Sequence, residues 1–146
     1  MEVLKNHATL YFDAKSVNEG FARMAVMAFM SDMNPTLEQL EDVKTAVSEA
    51  VTNAIIHGYQ NEKEQVELQC DRDGEALVIQ IIDHGVGIEN VEEARTPFFT
   101  TKPEMERSGM GFAFMEVFMD KLEVYSKPGQ GTRVVMTKYI ERKNEQ

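Results

Sequence analysis

The sequence predicts an α+β fold, in which a mixed sheet is covered by helices on one face to give a two-layer sandwich. Two observations lead to this prediction. Apolar residues recur at helical spacing over residues 17–33 and 37–57, and short apolar runs bounded by turn residues follow them. A chain of 146 residues that is 42% hydrophobic is large enough for a real core, so we expect residues 1–146 to form a single domain.

The elements are expected in a definite order along the chain. They are a strand at 8–12, helices at 17–33 and 37–57, strands at 66–70 and 76–82, a helix at 112–119, and strands at 122–125 and 132–139. Thr36 and Gln39 predict a capping box at the start of the second helix. Asp73-Gly74 predicts a hairpin turn between the second and third strands. Residues 86–108 lack strong periodicity, and a loop of that length is more often functional than idle, so we expect a lid there.

Composition narrows the function classes. A net charge of −10 argues against nucleic acid or a membrane surface as a direct partner, because both attract basic faces. No apolar run approaches the roughly 18 residues needed to span a bilayer, and residues 1–5 lack the layout of a signal peptide. The single cysteine, Cys70, fits a reducing compartment. We therefore expect a cytoplasmic protein whose partners are proteins or small molecules.

The second helix carries the first candidate site. Glu49 and Asn53 are four residues apart, so their side chains lie one turn apart on the margin of the apolar stripe. A carboxylate and a carboxamide in this arrangement could hold a hard cation and a water molecule. The alternative is that both side chains simply face solvent.

Glycines mark two further candidate sites. Gly85 and Gly87 follow Asp83 at the end of the apolar third strand, although each could be an ordinary turn glycine. Gly109 and Gly111 lie where a helix begins, and the backbone amides and dipole of a helix N-terminus favour a polyphosphate.

Taken together, these motifs resemble a known pattern. The motifs are, in order, Glu49-x-x-x-Asn53, Asp83-x-Gly85-x-Gly87, Gly109-x-Gly111 and Gly131-Thr132. They resemble the ATP-binding domain of gyrase-type topoisomerases, histidine kinases and mismatch-repair ATPases, known as the GHKL or Bergerat fold, over about residues 8–140. Segments 47–59, 99–104 and 106–112 are similar to the anti-sigma factor serine kinases, and most of all to their sporulation branch, which acts on sigma factor F.

The resemblance implies roles for individual residues. Asp83 would accept a hydrogen bond from the adenine amine, Gly87 would let the backbone approach the ring closely, and Thr132 would complete the pocket. Asn53 would bind Mg²⁺, and Glu49 would orient or deprotonate the attacking hydroxyl.

The remaining implied ATP or ADP contacts lie beside the base and along the phosphates. They are Gly85, Thr100, Thr101, Lys102, Ser108, Gly109, Met110 and Gly111. Lys102 would reach the terminal phosphate; its alternative is a solvated surface lysine.

The resemblance also implies partners. Members of this family form homodimers, sequester a sigma factor, and phosphorylate a serine of a small anti-anti-sigma protein of the STAS type. Arg23 matches a partner-contacting position; its alternative is a solvent-facing arginine on an amphipathic helix. Other functions stay open at this point: a nucleotide-gated binding module without kinase activity, an anti-sigma kinase of the general-stress type, and a histidine-kinase fragment. The last would need a phosphoacceptor histidine on a separate helix, where the sequence offers none.

Overall fold

The computed structural model describes residues 4–58, 64–96 and 111–141. Five strands and four α-helices are present in these ranges. The strands are β1 (Lys5–Asp13), β2 (Gln65–Asp73), β3 (Ala76–Asp83), β4 (Lys121–Ser126) and β5 (Thr132–Tyr139); the helices are α1 (Asn18–Met30), α2 (Leu37–Asn53), α3 (Val91–Ala94) and α4 (Gly111–Phe118). The predicted α+β class and order of elements are confirmed.

Both long helices end in a different helical form. After α1 a 3₁₀ turn runs over Ser31–Met33, and Asn34 takes a left-handed conformation with φ 53° and ψ 51°. The following Pro35 disfavours an α conformation in the residue before it, which explains why the predicted helix stops here. A π-helical turn, Ala54–Gly58, continues α2 beyond Asn53. The capping box at Thr36 and Gln39 is present, with both reciprocal hydrogen bonds formed.

The sheet has the strand order β1-β2-β3-β5-β4. Every pairing in it is antiparallel, so the prediction of a mixed sheet was wrong in this detail. β3 and β4 do run in the same direction, as the connection through α3 and α4 requires. They do not pair, however, because β5 turns back from β4 and lies between them.

The helices cover one face of the sheet. On β3 the alternate residues Leu77, Ile79 and Ile81 are buried. Val26 of α1 and Val47 of α2 are buried as well and belong to the same hydrophobic core. The same alternation brings Asp83, two residues after Ile81, to the helix-covered side at the end of the strand. The hydrophobic core therefore ends at a buried carboxylate.

Lys138 of β5 joins the two layers. It is only 9% exposed, and its Nζ lies 3.1 Å from Asp42 Oδ2 of α2 and 2.6 Å from the carbonyl oxygen of Phe118. The ammonium thus satisfies a carbonyl at the C-terminal end of α4, where a cation is favourable. This contact holds the end of α4 against both α2 and the sheet. In the three described ranges, no helix combines the length and the apolar character needed to cross a bilayer.

Candidate functional site

Asp83 lies at the end of β3 with a side chain that is 5% exposed. Burial raises the pKa of its carboxyl from 3.8 to about 6, and hydrogen bonds from the backbone amides of Gly85 and Thr132, together with nearby His84, limit the rise. The Gly85 amide donates to Oδ1 over 3.0 Å. A buried carboxylate with a strongly shifted pKa at the edge of the core is typical of a functional group.

Two glycines allow the loop after β3 to approach the β4–β5 hairpin closely. Gly87 has φ 76°, and a Cβ there would lie 2.0 Å from the carbonyl oxygen of Lys127. Gly131 has φ 79°, and its Cβ would lie 2.0 Å from the carbonyl oxygen of Asp83. Because neither space nor backbone conformation admits a side chain, glycine is required at both positions.

Ser126 connects the same loop and hairpin through its hydroxyl group. The Ile88 amide donates to Ser126 Oγ over 2.7 Å, and Ser126 Oγ donates to the carbonyl oxygen of Gly131 over 2.8 Å. The Thr132 hydroxyl oxygen lies 2.8 Å from Ser126 Oγ. A cleft of about 440 Å³ opens here, lined by Asp83, Ser126 and Thr132 among others. The end of the sheet therefore presents a cleft whose lining is mostly apolar and includes the Asp83 carboxylate and the Ser126 and Thr132 hydroxyls.

Glu49 and Asn53 of α2 face the first residue of α4. A Cβ on Gly111 would lie 2.9 Å from Asn53 Nδ2, and 3.3 Å from both Asn53 Oδ1 and Glu49 Oε2. Gly111 is buried, while Glu49 and Asn53 are partly buried. The missing side chain of Gly111 thus leaves a small space between a carboxylate, a carboxamide and a helix N-terminus. The π turn that follows Asn53 packs against β3, which connects this group to the strand that carries Asp83.

Arg23 lies apart from the pocket, on α1. Its Nε is 3.5 Å from Glu19 Oε2, and Ser48 of α2 donates to Glu19 Oε1 over 3.0 Å. Within the described residues, Glu19 Oε2 and Arg23 Nε are buried without a hydrogen bond. Arg23 is therefore only partly exposed to solvent. Glu19 contacts both Arg23 of α1 and Ser48 of α2, and Ser48 directly precedes Glu49.

The structure divides the predicted site residues into three sets. Asp83 and Thr132 line the cleft at the end of the sheet, with Gly85 and Gly87 in the loop directly after β3; Glu49, Asn53 and Gly111 come together at the start of α4. The other predicted nucleotide contacts, Thr100, Thr101, Lys102, Ser108, Gly109 and Met110, lie outside the described residues, as does much of the expected lid.

Sequence reasoning missed Ser126 and Glu19. Ser126 lies directly opposite Thr132 in the pairing of β4 with β5, and only that register brings the two hydroxyls together. Glu19 precedes Arg23 by one helical turn, which was a usable signal for an ion pair. The hydrogen bond that Glu19 accepts from Ser48 of α2 depends on how the two helices pack, and nothing in the sequence near either residue indicates it.

The comparisons with known proteins agree with this geometry. The family model of the histidine kinase-like ATPase domain matches residues 12–138, which defines the chain as a nucleotide-binding domain of that class. An anti-sigma F factor of Clostridium perfringens strain SM101 is 55% identical over 136 residues, covering 92% of this chain and 97% of the relative. One from Anoxybacillus flavithermus is 54% identical over 138 residues, covering 94% of each. The chain belongs to the anti-sigma F factor family, as predicted.

A solved structure supports the fold independently. The RsbU and RsbW domains of Rv1364c from Mycobacterium tuberculosis match with a TM-score of 0.66 at 18% identity, covering 93% of this chain and 33% of the other. At this identity the match concerns the fold alone. The relatives from Clostridium perfringens, Anoxybacillus flavithermus and Clostridium acetobutylicum, at 52–55% identity, are anti-sigma F factors, which does not favour the general-stress type.

Proposed function

We propose that this chain is an ATP-dependent protein serine kinase that also binds and sequesters an RNA polymerase sigma factor of the sporulation sigma F type. Its substrate is a serine of a small anti-anti-sigma protein of the STAS type. The observation that carries the proposal is the convergence of Glu49 and Asn53 on the space above Gly111. A protein that only binds nucleotide has no need of a carboxylate at that place.

The adenine end of ATP enters the pocket at the end of β3. Above about pH 6 the Asp83 carboxylate is ionised and accepts a hydrogen bond from the adenine amine. The close backbone approach at Gly87 and Gly131 narrows the pocket around a flat ring. Thr132 supplies a second polar group, and Gly85 orients Asp83 through its amide.

The phosphates lie toward the start of α4. The helix N-terminal amide of Gly111 suits an anion, and we assign Ser108, Gly109 and Met110, which lie outside the described residues, to the phosphates as well. The carboxamide oxygen of Asn53 beside the Gly111 space fits Mg²⁺, which prefers oxygen ligands and keeps several waters and phosphate oxygens around it. When bound, this ion neutralises phosphate charge. The remaining phosphate contacts of this proposal are Thr100, Thr101 and Lys102, which also lie outside the described residues.

Glu49 acts on the substrate serine. Its carboxylate orients the hydroxyl and accepts its proton as the serine oxygen forms a bond to the γ-phosphorus; the bond to the β–γ bridging oxygen breaks, and ADP leaves. The product serine carries a dianionic phosphate. On a protein of net charge −10 this added charge weakens docking and favours release.

The partner surface is α1. Phe21 and Met24 of this helix are 56% and 64% exposed, and Val17, the residue before the helix, is 79% exposed. Large exposed apolar side chains near an arginine that is paired with a glutamate are typical of a protein interface. The sigma factor and the STAS-type protein dock here. The chain forms a cytoplasmic homodimer; β1, an edge strand beside α1, is the candidate surface for the second copy.

The test is transfer of label from γ-labelled ATP, with Mg²⁺, to a serine of a STAS-type protein. Glu49→Gln should lose at least 100-fold in rate while still binding ADP. Glu41→Gln makes the same change on an exposed position of the same helix and should keep the wild-type rate. Tight ATP binding by the wild-type protein without any labelled serine would refute the kinase and leave a nucleotide-gated binding module.

A further inference from the structure

The Ser126 hydroxyl has three polar neighbours, and each has a defined role. A serine hydroxyl carries one proton and two lone pairs. The Gly131 carbonyl, 2.8 Å away, can only accept, so it takes the Ser126 proton. The Ile88 amide, 2.7 Å away, can only donate, so it occupies one lone pair. One lone pair of Ser126 is left for the remaining neighbour.

That neighbour is the Thr132 hydroxyl, 2.8 Å away. Because the proton of Ser126 is already used, Thr132 must be the donor in this contact. The proton of Thr132 therefore points at Ser126, and its oxygen keeps its lone pairs as an acceptor. Thr132 is 9% exposed and pairs directly with Asp83 across β3 and β5, where the Asp83 carboxylate is the other acceptor.

We propose that Ser126 is a positioning residue that selects the base by holding Thr132 as an acceptor. With the Thr132 hydroxyl held in this way, the corner of the cleft formed by Asp83 and Thr132 presents two acceptors, which suit a purine that carries an amine at position 6. It rejects one that carries a carbonyl there, because the carbonyl oxygen would face lone pairs. This inference rests on the proposed function only in placing the base beside Asp83 and Thr132.

The test compares the affinities of ADP and IDP at pH 7.5, since hypoxanthine replaces the adenine amine with a carbonyl. In Ser126→Ala the Thr132 hydroxyl is released and can turn its proton toward the carbonyl. We expect the preference for ADP over IDP to fall about tenfold, the worth of one hydrogen bond. Ser31→Ala makes the same change at an exposed serine outside the cleft, is the matched control and should keep the wild-type preference.

The readout separates selection from simple bracing of the loop. If Ser126 only ties Ile88 to the hairpin, Ser126→Ala will weaken ADP and IDP by the same factor, and an unchanged ratio would overturn the proposal. Should Ser126→Ala not fold, Ser126→Cys preserves the size with a much weaker donor and acceptor, and its ratio decides in the same way. Failure of the wild-type protein to bind ADP would instead refute the proposed function.

Discussion

Asp83 makes the nucleotide-free protein less stable than it could be. Its pKa is about 6 in the folded protein against 3.8 for the free group, chiefly because of burial. Since the folded-state pKa of Asp83 is raised, the protonated carboxyl favours the folded state relative to the ionised one. This contribution of Asp83 to the free energy of unfolding is complete below about pH 4 and is lost as the pH rises to about 6. At 1.36 kcal/mol per pH unit, the ionised group costs about 3 kcal/mol at neutral pH. An uncharged isostere removes that cost.

We expect Asp83→Asn to raise the free energy of unfolding at pH 7.5 by about 2 kcal/mol, since the amide loses roughly 1 kcal/mol in a backbone hydrogen bond. Urea unfolding without nucleotide measures this gain. At pH 5.0 the wild-type carboxyl is mostly protonated when folded, so the gain should shrink by about 1.4 kcal/mol. The same variant should lose stabilisation by ADP, because its amide presents a donor to the adenine amine.

The control for this experiment is Asp73→Asn, at an exposed position of the β2–β3 hairpin, which should change stability by less than about 0.5 kcal/mol at either pH. Equal stability of wild type and Asp83→Asn at pH 7.5, or a gain that does not change between pH 7.5 and 5.0, would refute the account of Asp83 as a buried and costly carboxylate.

Two further predictions concern the parts that hold the site together. Gly131→Ala should lower the free energy of unfolding in urea by about 3 kcal/mol or more, because the new Cβ would lie 2.0 Å from the carbonyl oxygen of Asp83. Gly129→Ala, with φ 76° and nothing within 4 Å of its Cβ, should lower it by only about 1 kcal/mol. Equal losses in the two variants would contradict the steric argument. Lys138→Met should lower the free energy of unfolding by about 2 kcal/mol, because it leaves Asp42 without its buried partner. Lys44→Met, at the more exposed ion pair with Glu41 on α2, is the control and should change it little. No change in Lys138→Met would show that the ammonium is dispensable.

Much of the site was readable from local sequence. Asp83 closes a strand that is apolar almost throughout, so its place at the end of a central strand was predicted; the structure adds that it is buried on the same face as Ile79 and Ile81. Glu49 and Asn53 share a helix face because of their spacing, and the predicted helix at 112–119 is present as α4. These features depend on residues a few positions apart, whose geometry the backbone sets directly.

The sequence by itself therefore determined the order and type of the elements and the family. Only the tertiary structure decided which of them touch. The antiparallel sheet depends on β5 lying between β3 and β4, and this pairing joins segments some fifty residues apart. The Ser126–Thr132 contact, the space above Gly111 and the burial of Lys138 all follow from strand register and helix packing. The last two of these depend on the relative placement of distant segments, and the first depends on the exact register of one hairpin, so none of them carried a signal in the sequence pattern.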